Sequence, residues 1–161
     1  MPKFNSRRRV NHSAAQMFDL VADVERYPEF VPLCRSLKIR QRTPKPDGTE
    51  IVICEMTVSF KLVRETFTTR VTLDRPNLKI LVEYLRGPFS NLENRWTFEP
   101  KPDDGCDVGF LRALADFQRF AQRHEFGVAL DVGHQIEHLR RAVGYPALAR
   151  EFWHRLDALA R

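Results

Sequence analysis

The sequence lacks the features that define several classes of protein. No apolar run among its 161 residues approaches the roughly 18 to 20 residues needed to cross a bilayer, and its start lacks the apolar block of a signal peptide. We therefore expect a cytoplasmic protein, with the periphery of the inner membrane as a second possible location. The three cysteines (Cys34, Cys54 and Cys106) are far apart and form no CxxC pair, which argues against a disulfide framework or a zinc site and predicts small buried side chains.

Motifs for most catalytic and nucleic-acid-binding classes are also missing. There is no G-x-S-x-G and no glycine-rich phosphate loop, which removes two large classes of enzyme. No RNP motif, KH loop or zinc finger supports sequence-specific binding of a nucleic acid. Acid–base chemistry would need Glu55, Glu65 or Glu83 to face a pocket, whereas charged strand residues usually face solvent.

The charge is the first positive signal. A formal charge of +5 and a pI near 9.4 are compatible with an anionic partner such as RNA or a membrane surface, although basicity governs association rather than chemistry. The dense basic run Arg7-Arg8-Arg9 would divide its charges between two faces of a strand. We therefore interpret it as a solvated sheet edge.

The N-terminal segment predicts a strand followed by a helix. Residues 4–10 have the length of a strand, and Ser13 with Gln16 fits a capping box that starts a helix. The helix has one apolar stripe, and Pro28 should end it. Two prolines, Pro28 and Pro32, should prevent a regular helix across residues 27–32 and hold four apolar side chains as a rigid lid over a cavity mouth: Tyr27, Phe30, Val31 and Leu33. The alternative is that these are ordinary core residues.

Alternating strands follow. Residues 36–42 and 50–60 flank an Asp47-Gly48 hairpin signal. One apolar face continues through the later strands and includes Val52, Cys54, Met56, Val58, Phe60, Phe67, Thr69, Val71, Leu73, Leu78, Ile80, Val82, Tyr84, Leu92, Asn94, Trp96 and Phe98. The pattern predicts a single α+β domain with a meandering antiparallel sheet whose apolar face needs a helix to cover it.

Three segments carry a family resemblance: residues 21–34, residues 67–71 and residues 87–98, which contain Asp23-Val24-Glu25-Arg26-Tyr27-Pro28, Phe67-Thr68-Thr69-Arg70-Val71 and Gly87-Pro88-Phe89-Ser90-Asn91-Leu92. Together they resemble the coenzyme Q-binding START-domain proteins, grouped with the polyketide cyclase/dehydrase superfamily and the ribosome-association toxin. The match runs in order over about residues 2–110. It implies a helix-grip fold with a short pair of N-terminal helices, in which a curved antiparallel sheet wraps a C-terminal helix and a lipid-like ligand lies between them.

The resemblance also implies a function. Proteins of this kind bind ubiquinone and support respiratory electron transfer without catalysing a reaction, so we expect no enzyme activity, no catalytic residue, no metal and no cofactor other than ubiquinone as a bound ligand. A polyprenyl quinone needs a long apolar slot with one or two polar groups. The candidate ligand-binding residues are Tyr27, Phe30, Val31, Met56, Val58, Phe60, Phe67, Val71, Val82, Tyr84, Asn94, Trp96 and Phe98.

Asn94 is the candidate for a hydrogen bond to the head group, and Trp96 is the candidate aromatic wall, with structural roles as the alternative for each. The expected partners are ubiquinone or another hydrophobic small molecule, a transient membrane surface and, as an alternative function, the large ribosomal subunit, whose joining a toxin of this fold would block. A small cyclase or hydrolase is the second alternative.

The tail departs from the family pattern. All six lysines lie before residue 102, and four of the five histidines lie after it. We therefore divide the domain into a START-like part, residues 1–110, and an atypical helical tail, residues 111–161, with the hypothesis that the reading frame changes near Phe110. An apolar stripe after Gly144-Tyr145-Pro146 predicts a short helix over residues 147–160.

The tail also contains His134-Gln135-Ile136-Glu137-His138, which matches H-x-x-E-H. On a helix this pattern places two imidazoles on one face for zinc, with Glu137 as a general base. The pattern is short enough to occur by chance in a histidine-rich segment, so a metallohydrolase is the weakest of the alternatives.

Overall fold

The computed structural model describes residues 3–31, 34–60, 63–88, 91–115 and His154. Its elements in chain order are β1 (Lys3–Val10), α1 (Ala14–Ala22), a 3-10 turn (Val24–Arg26), α2 (Tyr27–Phe30), β2 (Cys34–Pro44), β3 (Thr49–Phe60), β4 (Val63–Asp74), β5 (Lys79–Arg86), β6 (Asn91–Pro100) and β7 (Cys106–Ala115). Of the predicted helix over residues 147–160, only His154 is described, and it is helical; the H-x-x-E-H segment lies outside the described residues.

The strands form one antiparallel sheet of seven strands in the order β1-β7-β6-β5-β4-β3-β2. Strands that follow one another from β2 to β7 are neighbours, and β1 closes the far side by pairing with β7. This confirms the predicted meander. The register pairs Val71 with Val82 and Ile80 with Trp96, so the apolar positions of successive strands share one face, called here the inner face.

Helix α1 begins as predicted. The Ser13 Oγ accepts a hydrogen bond from the Gln16 backbone N–H at 3.2 Å, and the Gln16 Oε1 accepts one from the Ser13 backbone N–H at 3.0 Å. A cap of this kind is worth about 1 kcal/mol. The helix buries its apolar stripe against β5, β6 and β7, and the Phe18 ring meets Phe98 edge to face at 5.9 Å.

The prediction that the prolines prevent a helix across residues 27–32 is wrong in part. One helical turn, α2, forms at Tyr27–Phe30 with Pro28 in its first turn. Proline is tolerated there because an N–H in the first turn has no intrahelical partner, and its fixed φ already suits a helix. Val31 then adopts an extended conformation, and its N–H bonds to the Tyr27 carbonyl at 2.7 Å.

Ion pairs neutralise much of the β1 edge. Arg7 pairs with Glu99 and Asp107, and Arg9 pairs with Asp103 and Asp107. The hydrogen bond from Lys101 lowers the pKa of Asp107, and that from Arg9 lowers the pKa of Asp103. All three arginines of the basic run are exposed, as expected of a solvated edge.

The opposite edge is β2, which is irregular. Its register with β3 shifts between Cys34 and Ser36 and again between Ile39 and Gln41, and residues 40–48 are exposed. The strand ends at Pro44. Arg40 and Arg42 pair with Glu55 and Glu50 on β3.

Strand β7 continues five residues past Phe110, in unbroken register with β6. The sheet therefore extends beyond the boundary that the sequence suggested at residue 110. The frame-change hypothesis for the tail stays a prediction, which translation of the gene in its other frames would test.

Candidate functional site

The inner face divides into two apolar clusters. The larger contains the buried stripe of α1 together with Val52, Cys54, Val71, Leu73, Ile80, Val82, Trp96, Phe98, Cys106 and Val108. The smaller, called here the Phe67 cluster, contains Phe67 and Leu92 with Met56, Val58 and Tyr84 packed against them. No α1 residue belongs to the Phe67 cluster among the residues described.

The two clusters differ in how completely they are covered. The main core includes side chains with no exposure, such as Val52, Cys54 and Val108. In the Phe67 cluster, Met56, Val58 and Tyr84 are only half-buried, although they lie on the apolar side of the sheet. Leu37, Ile39 and Phe110 at the margin of the main core are half-buried as well, but among the described residues the Phe67 cluster has the larger share of half-buried apolar side chains.

The structure distributes the predicted site residues over both clusters. Met56, Val58, Phe67 and Tyr84 come together in the Phe67 cluster. Val71, Val82, Trp96 and Phe98 are buried in the main core, and Val31 packs against it. The side chains of Phe30 and Phe60 lie outside the described residues.

Tyr27 has a structural role. Its side chain is buried, and its hydroxyl donates to the Val21 carbonyl at 2.8 Å, which ties α2 to the end of α1. Burial raises the pKa of this phenol, so it stays protonated and its donor stays in use. Burial also raises the pKa of the neighbouring Cys34 and Cys54 thiols to about 11, in agreement with the prediction that the cysteines are buried.

Asn94 lies on the inner face in β6, between Leu92 and Trp96, and is in register with Val82 on β5. The residue is half-buried, but its Oδ1 atom is fully buried and has no hydrogen-bond partner in the described part of the chain. A buried acceptor without a hydrogen-bond partner costs about 1–3 kcal/mol of stability. Most buried polar atoms in proteins therefore have a partner. Within the described residues, Asn94 is therefore an unsatisfied polar group on the inner face, where its register partner on β7 is Arg112.

Trp96 forms an aromatic row beside Asn94. Its ring is 4.4 Å from that of Phe110 and lies parallel to that of Phe98 at 6.4 Å, measured between ring centroids. Phe110 is half-buried and was not among the predicted site residues. The alternation of Cys106, Val108 and Phe110 with polar or small residues in β7 was the signal that would have found it.

Gly87 lies directly against Phe67, at one end of the Phe67 cluster. It follows β5 with φ of +144°, a conformation that favours glycine, and a Cβ atom at this position would lie 2.5 Å from the Phe67 Cβ. The chain therefore turns back directly against Phe67 after leaving the sheet.

The three glutamates considered for acid–base chemistry occupy different positions. Glu55 and Glu83 pair with Arg40 and Arg70 at 2.6 and 3.8 Å, on the outer face. Glu65 pairs in register with Val58, which places it on the inner side of β4. Glu65 is half-buried there and keeps part of its surface exposed.

The described residues contain neither a metal-binding cluster nor a membrane-spanning helix. Within them, no group of three or more histidine, cysteine, aspartate or glutamate side chains is placed to hold a metal ion. Over the same ranges, no helix has the length and apolar character required to span a membrane.

The fold and the site define a protein of the START-like, helix-grip class. A START superfamily protein from Mycobacterium smegmatis has the same fold, with a TM-score of 0.66 at 17% identity over 98% of this chain and 96% of that one. The 18 kDa protein CC1736 from Caulobacter crescentus is similar with a TM-score of 0.72 at 28% identity, over 99% and 96% of the two chains.

The particular family follows from the sequence comparison. Residues 10–127 match the model of the family described as polyketide cyclase / dehydrase and lipid transport, and the chain belongs to this family. The match continues past residue 110, where the resemblance noted from the sequence ended.

Relatives in this family have two kinds of name. The chain is 36% identical to the persistence and stress-resistance toxin PasT of Escherichia coli O6:H1 and 34% identical to the ribosome association toxin RatA of Escherichia coli K12, each over 110 residues. Each match spans 68% of this chain and 66% of the relative, just under two thirds of its length. It is 29% identical over 154 residues to the mitochondrial coenzyme Q-binding protein COQ10 of Drosophila melanogaster, covering 90% of this chain and 61% of that protein.

Proposed function

We propose that this protein binds ubiquinone or a similar polyprenyl lipid against the inner face of its sheet and supports respiratory electron transport without catalysing a reaction. The observation that carries the proposal is the buried Asn94 Oδ1, which has no hydrogen-bond partner among the described residues and lies beside a half-buried apolar cluster. An apolar surface with one polar group is the general form of a small-molecule site. The membership of a lipid transport family and the COQ10 relative support the same proposal.

The residues of the site have distinct roles in this proposal. Met56, Val58 and Tyr84 contribute the apolar surface that the prenyl chain covers, because they are the half-buried members of the Phe67 cluster. Burying apolar surface contributes roughly 25 cal/mol per Å². Asn94 holds the head group, and the Trp96–Phe110 pair lies next to it on the same face.

Organic extraction of the purified protein, followed by mass spectrometry, tests the proposal. We expect a prenylated quinone or a related lipid in near-stoichiometric amount. Val58→Lys should abolish its retention because it places a charge on the inner face. Thr57→Lys is the matched control. Thr57 is next to Val58, but its side chain faces outward, where its hydroxyl forms a hydrogen bond with that of Thr66. Recovery of no lipid from the unaltered protein, or equal loss in both variants, would contradict the proposal.

We propose association with the large ribosomal subunit as a second candidate function, favoured by the names of the relatives and by the charge of the β2 edge. Arg35, Lys38 and Lys45 are exposed there and form no ion pair with the described residues. This contrasts with Arg7 and Arg9 on the β1 edge, which are paired with acidic side chains. Three cations along and just after β2, none of them in an ion pair with a described residue, suit the phosphates of RNA.

Co-sedimentation with ribosomal subunits tests this second candidate. Binding should weaken steeply as salt is raised, and a triple variant of Arg35→Glu, Lys38→Glu and Lys45→Glu should abolish it. A triple variant of Arg64→Glu, Lys79→Glu and Arg86→Glu changes the net charge equally at exposed positions elsewhere and should bind almost normally. Equal loss in both triple variants would show non-specific attraction and exclude a dedicated surface on β2.

A further inference from the structure

We propose that the site selects a guest whose head group donates a hydrogen bond, and hence that it binds the reduced hydroquinone form of a quinone in preference to the oxidised form. This inference rests on the proposed lipid-binding function and adds the redox state of the ligand. The observation that carries it is that the atom of Asn94 that is buried, with no partner in the part of the chain that the structure describes, is the acceptor Oδ1.

The chemistry of the amide sets the direction of the preference. An amide oxygen accepts hydrogen bonds and cannot donate them, so only an O–H or N–H group can satisfy it. The side chains of Val82 on β5 and Leu92 on β6 next to Asn94 have no donor, and its register partner on β7 is Arg112, whose side chain lies outside the described residues. Because no donor from the described residues reaches Oδ1, we assign the missing donor to a molecule bound on this face.

The two redox forms of a quinone differ in whether they can donate a hydrogen bond. The oxidised form carries carbonyl groups, which only accept, and a carbonyl placed at this position would set two acceptors against each other. The reduced form carries hydroxyl groups, one of which can donate to Oδ1. No electron transfer within the protein is implied, because the inference concerns only the relative affinity of the two forms.

The location of Asn94 strengthens the argument. Its buried oxygen lies at the junction between the main core, which contains Val82 and Trp96, and the Phe67 cluster, which contains Leu92. A head group that reaches Asn94 therefore lies at the inner end of the half-buried surface, and its apolar tail extends over Met56 and Val58. Burial of the hydrogen bond makes an unmatched acceptor more costly than it would be in water.

Equilibrium dialysis under argon tests the inference with a decyl-chain benzoquinone and its hydroquinone as probes. We expect the hydroquinone to bind about tenfold more tightly, the size of effect that one buried hydrogen bond gives. For a two-electron couple, a tenfold preference for the reduced form raises the midpoint potential of the bound couple by about 30 mV. A redox-independent pair, 4-decylphenol and its methyl ether, should show the same preference for the donor.

Two variants complete the test. Asn94→Leu should bind both members of each pair with similar affinity, whereas Asn91→Leu, at an exposed position of the same strand, should keep the preference. Equal binding of both forms to the unaltered protein, tighter binding of the oxidised form, or a preference that survives Asn94→Leu would overturn this inference while leaving lipid binding intact. If neither form binds, the proposed function fails as well.

Discussion

Replacing Asn94 with leucine should stabilise the protein, although most substitutions inside a sheet destabilise it. The change removes a buried acceptor that has no partner in the described part of the chain, which relieves a cost of about 1–3 kcal/mol. Burial of a half-buried leucine beside Leu92 and Val82 contributes roughly 1 kcal/mol more to stability. Leucine and asparagine differ in shape, and the resulting imperfect packing offsets part of this contribution.

We therefore expect the free energy of unfolding of lipid-free Asn94→Leu to increase by about 1–2 kcal/mol. For a chain of this length, such a change raises Tm by roughly 2–8 °C. Urea titration and differential scanning calorimetry of the lipid-stripped protein measure both quantities. Asn91→Leu should change Tm little because residue 91 is exposed.

A decrease in the stability of Asn94→Leu would contradict this reasoning. If Asn94→Leu lowers the stability of the lipid-free protein by 1 kcal/mol or more, the amide oxygen has a structural partner in solution. The argument for a ligand at this position would then fail. Increased stability together with loss of lipid retention would match the trade-off expected when a protein keeps a polar group for function.

Three further predictions concern other contacts. Gly87→Ala should destabilise the protein by more than about 1 kcal/mol, because alanine disfavours φ of +144° and its Cβ would lie 2.5 Å from the Phe67 Cβ; an unchanged Tm would contradict the close packing after β5. Tyr27→Phe should lower the free energy of unfolding by about 1 kcal/mol through loss of the bond to the Val21 carbonyl but leave lipid retention unchanged, as urea titration and extraction would show; loss of lipid would place the hydroxyl in the binding site instead. The pKa values of Asp103 and Asp107 are lower in the folded state than in the unfolded chain, so their contribution to stability is present above the ordinary carboxylate range and is lost as pH falls through the lowered values. Asp107→Asn should reduce this acid sensitivity in urea titrations across that range, and an unchanged pH profile would mean that the ion pairs at the β1 edge do not form in solution.

Much of the fold was predictable because it depends on local patterns. The capping box at Ser13 and Gln16 depends on residues three positions apart, and the inner face follows from alternation within each strand. The Asp47-Gly48 turn needs only its own residues, and Gly48 adopts φ of +84°. These features do not require knowledge of distant contacts.

Features that depend on long-range geometry were harder to predict. Arg7 and Arg9 pair with acidic side chains more than 90 positions away, so no local pattern indicates that the basic run is neutralised. Helix α1 ends at Ala22, before Pro28, and Pro28 instead lies in the first turn of α2, where proline is tolerated.

The sequence predicted which residues belong to the candidate site better than it predicted how those residues are arranged. The sequence placed Asn94 on the apolar face, but only the structure shows that its oxygen lacks a partner and that Tyr27 has one. Alternation likewise cannot divide the inner face into a main core and the Phe67 cluster, because that division depends on where α1 lies across the sheet.

The irregular β2 strand has a consequence for how copies of this protein behave at high concentration. An open sheet offers free backbone groups at its margin, which can recruit a strand from another molecule and start aggregation. Two breaks in register, a terminal proline and a series of like charges make β2 a poor template for such recruitment. The molecule can therefore keep apolar side chains partly uncovered on one side of its sheet without its margin promoting self-assembly.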